Sequence, residues 1–198
     1  TGLSADDNYV LDMDGKVADI TGSPFTNPDL LNPGTHSMVI YNRAEGFTFD
    51  GRMARVNAPD GKSRADGASV IPLPGYLKTV SQEITVTADD TLRVNAVPMQ
   101  RVRDLQLELE VTQGRPELIQ NVTATLSGIA GVFDMEKGQT IGEPTSTVFS
   151  FTRDGSKLTA DARLLGTMGA VQTLVLDIVF TDGGRTQHTE VDLTEALA

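Results

Sequence analysis

Leu105-Gln106-Leu107-Glu108-Leu109-Glu110-Val111 places an apolar residue at every second position. Period two is the repeat of a β-strand with one dry and one wet face. The same signal recurs downstream. Val122-Thr123-Ala124-Thr125-Leu126 alternates, and Val148-Phe149-Ser150-Phe151 sets both aromatics on one face. Asp154-Gly155 then turns the chain into Leu158–Leu164. Leu174, Leu176, Ile178 and Phe180 share a face, and Asp182-Gly183-Gly184 leads into Thr186–Leu193. These are six strands in roughly a hundred residues, joined by loops too short for parallel crossovers. Two antiparallel sheets would bury the alternating faces against each other. Leu107 and Leu176 are expected inside, and Glu108 outside.

Upstream the pattern is weaker. Asn8–Asp12 and Lys16–Ile20 flank the Asp14-Gly15 turn, and Ser37–Asn42 is a clear strand. Glu83–Ala88 and Leu92–Val97 are expected to form a hairpin across Asp89-Asp90. Asp-Gly occurs six times in the chain, at Asp14, Asp50, Asp60, Asp66, Asp154 and Asp182, and supplies the positive φ angles of tight hairpins. Two long polar loops, 22–34 and 57–68, are expected to be functional or mobile. Pro98 with Arg101 and Arg103 interrupts the β pattern at 97–103. The boundary between an N-terminal domain, 1–98, and a C-terminal domain, 99–198, is set there. No segment has helical periodicity, and only Leu193–Leu197 is expected to form a helical turn. The fold class is all-β.

The 198 residues carry a net charge of −11, which opposes nucleic acid and anionic lipid surfaces. The absence of cysteine excludes disulfides, thiolate metal sites and a cysteine nucleophile. No apolar run approaches the ~18 residues of a spanning helix. The polar start, Thr1–Asp7, lacks an initiator methionine and is expected to follow a processed leader.

The chemical motifs are sparse. Asp12-Met13-Asp14-Gly15 has the opening of a calcium loop, but position 12 of that loop is Ser23 rather than Glu. A hairpin turn is the expected reading. His188 shares a strand face with Glu190 and Asp192, an arrangement expected to be solvated rather than metal-binding. His36 has no His, Asp or Glu within four residues on either side. No G-x-S-x-G is present, and Gly128-Ile129-Ala130-Gly131 lacks phosphate-loop spacing. A glycine-relieved bend in a long strand is expected there. Glu108 and Glu110 have the spacing of a carboxylate pair on a wet face, without a cleft to make them catalytic. Asn121-Val122-Thr123 is a glycosylation sequon only in a eukaryotic secreted protein. No residue receives a catalytic, cofactor-binding or metal-binding role, and no cofactor is expected.

Asn121–Ala130, Phe149–Leu158 with its Asp-Gly turn, Leu174–Thr181 and Val191–Thr194 together resemble the C-terminal domain of the fimbrial subunit and fimbrial anchor-like lipoproteins of Bacteroidetes. Asn32-Pro33-Gly34-Thr35 feeding the strand to Asn42 is similar to a turn in the same proteins' first half. The resemblance implies two tandem β-sandwich domains of transthyretin-like topology. It implies export and a lipid anchor on an upstream cysteine at the outer membrane of a Gram-negative bacterium. It further implies a fimbrial role in anchoring, assembly or adhesion, with other fimbrial subunits or surface proteins as partners. Against that pattern, the lipid-bearing cysteine is absent and the N-terminal half is short by one or two strands.

The expected function is therefore a non-enzymatic structural or adhesive surface protein, with a fimbrial anchor or accessory subunit as its form. The alternative is a surface carbohydrate-binding or nutrient-capture module, for which Tyr9, Tyr41 and Tyr76 are the only tyrosines and tryptophan is absent. The resemblance includes a C-terminal strand lent to the next subunit. Thr194–Ala198 is too short to cover a groove, and no arginine precedes Asn42 for an Arg-directed protease. A self-contained subunit, monomeric as isolated, is expected; otherwise Thr186–Leu193 would itself be the donor.

Overall fold

The computed structural model describes residues 8–58, 71–88, 90–181 and 184–198. Thr1–Asp7, the Asp60-Gly61 and Asp66-Gly67 turns, most of the 57–68 loop, Asp89 and Asp182-Gly183 lie outside those residues. The described chain is all-β and antiparallel, arranged in two sheets.

β1 (Tyr9–Met13) and β2 (Lys16–Asp19) pair across Asp14-Gly15, whose φ angles of 51° and 85° are those a two-residue hairpin demands. β3 (Gly34–Asn42) lies beside β1. The hairpin of β4 (Phe47–Asp50) and β5 (Met53–Val56), turned by Asp50-Gly51, leaves this sheet altogether. β6 (Lys78–Val86) returns beside β3, and the short β7 (Met99–Gln100) meets the start of β6. The first sheet therefore runs β2-β1-β3-β6-β7.

Two expectations are corrected here. β6 starts at Lys78, well before Glu83, and pairs with β3 from Gly34↔Val86 to Tyr41↔Thr79. Leu92–Val97 forms no strand. Local alternation suggested a hairpin, but pairing with β3 aligns Val80 and Ile84 with Met38 and Ile40 on one apolar face. Residues 92–96 lie across that face instead, with Ala96 packed on it. The 97–103 stretch is also not empty of structure, since it holds β7 and the buried Val102.

The second sheet contains the six expected strands of the C-terminal part: β8 (Arg103–Glu110), β9 (Ile119–Asp134), β10 (Gln139–Asp154), β11 (Lys157–Leu164), β12 (Thr173–Phe180) and β13 (Thr186–Asp192). Their order is β13-β12-β9-β10-β11-β8, with β5 pairing on the far end of β9. β10 pairs with β9 through Phe151 and with β11 from Thr152 onward. β9 and β10 are 16 residues each, much longer than the alternating segments at 122–126 and 148–151. Alternation breaks at Gly128, where β9 bulges: Thr145 faces Ile129 while Ser146 faces Ser127. Gly128 has φ +75°, and a Cβ there would stand 2.2 Å from the Val171 carbonyl oxygen. It is the glycine-relieved bend, held by close backbone approach.

One core cluster runs through both parts of the chain. Val10, Val39, Tyr41 and Phe47 join Val122, Leu126, Phe149, Leu174 and Leu176. At ~1.5–3 kcal/mol per buried large apolar side chain, this interior is the main source of stability. A second cluster, Tyr9, Leu11, Met13, Met38 and Ile40, lies on the outer face of the first sheet under Ile20, Phe25 and Leu31. The helical turns among the described residues are a 3-10 turn at Pro116–Leu118 and the C-terminal turn, closed by the Leu197 N–H donating to the Leu193 carbonyl.

Candidate functional site

Polar side chains converge where the first sheet meets the tips of two hairpins. Asp12, on the inward face of β1, is 2% exposed. Arg52, in the β4–β5 turn, donates to its Oδ1 from Nε at 3.0 Å and Nη2 at 2.8 Å. Arg52 Nη1 donates to Glu136, in the β9–β10 turn, at 2.6 Å and to Ser37 Oγ at 2.6 Å. One guanidinium thus joins β1, β3 and the end of the long β9–β10 hairpin. Burial pushes the Arg52 guanidinium down, but the Asp12 and Glu136 carboxylates more than offset it and its pKa is raised. A buried charge needs this kind of partner set.

His36 extends the cluster to the surface. Its Nδ1 lies 2.5 Å from Asp14 Oδ2, and its Nε2 lies 2.7 Å from the Asn32 carbonyl oxygen. A carboxylate and a carbonyl only accept, so this arrangement favours the protonated ring, in which both nitrogens donate. The Asp14 hydrogen bond raises the His36 pKa, helped by Asn32. The same bond lowers the Asp14 pKa, helped by the Ser37 N–H at 2.8 Å. His36 thereby ties the 22–34 loop to the sheet. Under that loop is an apolar groove of about 520 Å³, floored by Leu11, Met13, Met38 and Ile40.

The residues singled out in the sequence fall as follows. Asp12 and Asp14 close a hairpin turn: Asp12 Oδ1 accepts the Gly15 N–H at 2.9 Å, and both carboxylates are engaged with Arg52 and His36. His188 pairs across strands with Asp177, a partner the one-strand pattern did not reveal. Glu190 and Asp192 stay on the same exposed face. Thr194 hydrogen bonds hold the Asp192 carboxyl below the usual range. Among the described residues no three metal-ligating side chains gather. Glu108 forms a 2.8 Å ion pair with Lys157 across β8 and β11. Tyr9 and Tyr41 are core residues, and only Tyr76 is exposed, with the Arg163 guanidinium 5.4 Å from its ring centroid. Arg52 and Glu136, the centre of the cluster, carried no sequence motif. Among the described residues no helix is long and apolar enough to cross a membrane.

No family model and no curated protein matches this sequence. Solved structures do. A candidate adhesin from Bacteroides ovatus superposes with TM-score 0.77 at 17% identity, covering 98% of this chain and 78% of that one. A second B. ovatus candidate adhesin gives 0.65 at 10% identity, covering 97% and 70%. The fimbrial anchor protein Mfa2 from Porphyromonas gingivalis gives 0.61 at 11% identity, covering 98% and 76%. The chain shares the fold of Bacteroidetes adhesin-type and fimbrial anchor proteins along nearly its whole length.

Proposed function

We propose that this chain is a non-enzymatic surface protein, a fimbrial anchor or accessory subunit that works through protein–protein contacts. The observation that carries the reading is the shared fold with Mfa2 and the B. ovatus adhesins over 97–98% of the chain. The structure is suited to contact rather than to chemistry. Among the described strands, β2 and β7 end one sheet, β13 and β8 end the other, and β4 pairs only with β5, so several strand edges offer backbone groups for pairing or docking. The polar cluster around Arg52 is a mutual set of ion pairs with no free nucleophile at its centre. Attachment at the outer membrane through an upstream lipid, with other fimbrial subunits as partners, completes this reading. Its support is the sequence resemblance.

The division at 98/99 is part of the proposal. One sheet is drawn from residues 9–100, and six strands of the other come from 103–192. Two elements cross that division: β7 pairs with β6 in the first sheet, and the β4–β5 hairpin pairs with β9. A monomer is proposed for the isolated chain. β13 is paired with β12 from Thr173↔Asp192 to Val179↔Thr186, so Thr186–Asp192 is occupied within its own sheet. Light scattering should give a single-chain mass, and a heat-sensitive oligomer ladder would contradict it. The role itself is tested by deleting the gene in its source bacterium and imaging surface filaments. Lost, shortened or detached filaments are expected. Unchanged filaments and unchanged adhesion would overturn the reading.

A further inference from the structure

A polar cavity lies away from the Arg52 cluster, between β7, the start of β8, the turn before β10, residues 164–167 and residues 196–198. It has a volume of about 510 Å³, within the ~300–1,000 Å³ of small-ligand sites. Arg101 forms part of its wall and is held from behind. Its backbone N–H donates to the Leu77 carbonyl at 2.7 Å, its Nε to Thr79 Oγ1 at 2.8 Å, and its Nη2 to the Thr79 carbonyl at 3.4 Å. The guanidinium stands 5.4 Å from the centroid of Phe133. Thr79 and Phe133 are both buried, so the head group is fixed.

What is missing is an acid. Among the described residues neither Arg101 nor Arg103, its neighbour on the same cavity, makes an ion pair, in a chain with net charge −11. Burial alone acts on the Arg101 guanidinium, and lowers its pKa. The one acidic side chain on the wall, Asp104, accepts the Tyr76 hydroxyl at 2.7 Å, and Ala198, which also lines the wall, ion-pairs with neither arginine. Thr79 takes the Nε side of the fork. Nη1 and one N–H of Nη2 remain, which is the end-on geometry that receives a carboxylate through two parallel hydrogen bonds. Gln139, Thr140 and Thr167 add amide and hydroxyl side chains to the cavity wall.

We propose that this cavity binds a small carboxylate-bearing ligand, with Arg101 as the fixed fork and Arg103 as a second charge at the mouth. Two sources carry that chemistry: an acidic sugar and the carboxylate end of a peptide. Calorimetric titration of the whole chain with glucuronate and with N-acetylalanine, against glucose and N-acetylalanine amide, tests it. At least one acid should bind about tenfold tighter than its neutral counterpart. The tighter of the two acids assigns the source. Arg101→Gln should weaken binding by at least about tenfold and Arg103→Gln by roughly threefold, each in a protein with an unchanged melting temperature. Arg101→Lys keeps the charge but loses the fork, and should also weaken binding; it serves where Arg101→Gln does not fold. Equal affinity for acids and neutral analogues, or undiminished binding in a folded Arg101 variant, would overturn the proposal.

Discussion

β1 and β8 are both short strands at the beginning of their respective parts, yet they behave as opposites. In β8 the residues alternate, with Leu105, Leu107 and Leu109 half-buried and Gln106, Glu108 and Glu110 exposed. In β1 all five residues are buried. Val10 and Asp12 face the main core and the Arg52 cluster, while Tyr9, Leu11 and Met13 face the second cluster under the 22–34 loop. A strand edge with one wet face writes its fold as alternation. A strand covered on both sides does not, because neither face is required to be polar.

The comparison can be broken most directly by charge insertion. Val10→Asp and Leu11→Asp should each cost roughly 4 kcal/mol or more, because both parities of β1 are buried. Leu176→Asp should cost as much. On β8 the parities should separate: Leu107→Asp costs less than Leu176→Asp, being half-buried on an edge strand, whereas Glu108→Lys is tolerated, since it alters only a solvent-screened ion pair with Lys157. Chemical denaturation measures all five. A tolerated Leu11→Asp would show that the outer face of β1 is not a core.

The next largest effect concerns the charge inside β1. Arg52→Met leaves the Asp12 carboxylate buried without its partner, and should destabilise by about 3–5 kcal/mol. Adding Asp12→Leu should recover part of that loss, as a double-mutant cycle would record. Additive losses would mean that the two side chains are not coupled. Gly128→Ala should cost about 2 kcal/mol or more, since it combines a positive φ with a clash against the Val171 carbonyl. A neutral result would remove the bulge as a constraint on β9.

The smallest effect is pH dependence at the edge of the double-covered sheet. The His36 pKa is raised in the fold, so its contribution is fully present below its unfolded value, ~6.5, and fades as pH rises through the folded one. Asp14 is lowered, so its share is present above its unfolded value and is lost as pH falls through the folded one. The pair is strongest between those limits. Nuclear magnetic resonance titration of the His36 ring should show the upward displacement, and His36→Gln should remove the alkaline loss from the melting curve. An unshifted His36 titration would detach the 22–34 loop from this latch.

The strands of the C-terminal part were legible where a more covered face alternates with a less covered one, as in β8, β11 and the first half of β9. Leu105–Val111, Leu174–Phe180 and the Asp154-Gly155 turn announce themselves by local composition, as does Asp14-Gly15 in the first part. Position along a strand fixes which side a residue takes, so alternation plus turn chemistry specifies these elements without any partner. The β4–β5 hairpin, the full length of β9 and β10, and the fate of Leu92–Val97 required the partner. Leu92–Val97 alternates well enough to be a strand, but residues 92–96 lie across the apolar face of β3 and β6 rather than along the β6 edge, where β7 pairs only with Lys78 and Thr79. Arg52, Glu136 and Asp12 are 40 to 124 positions apart in the chain, as Asp12 to Arg52 and Asp12 to Glu136, and meet only when two hairpin tips reach the first sheet. The sequence by itself determined an all-β chain, its turns and its one-sided strands, because these depend on neighbours within a few residues. The tertiary structure alone decided which faces are covered twice and which charges are paired or left open, because burial and ion pairing depend on distance in space.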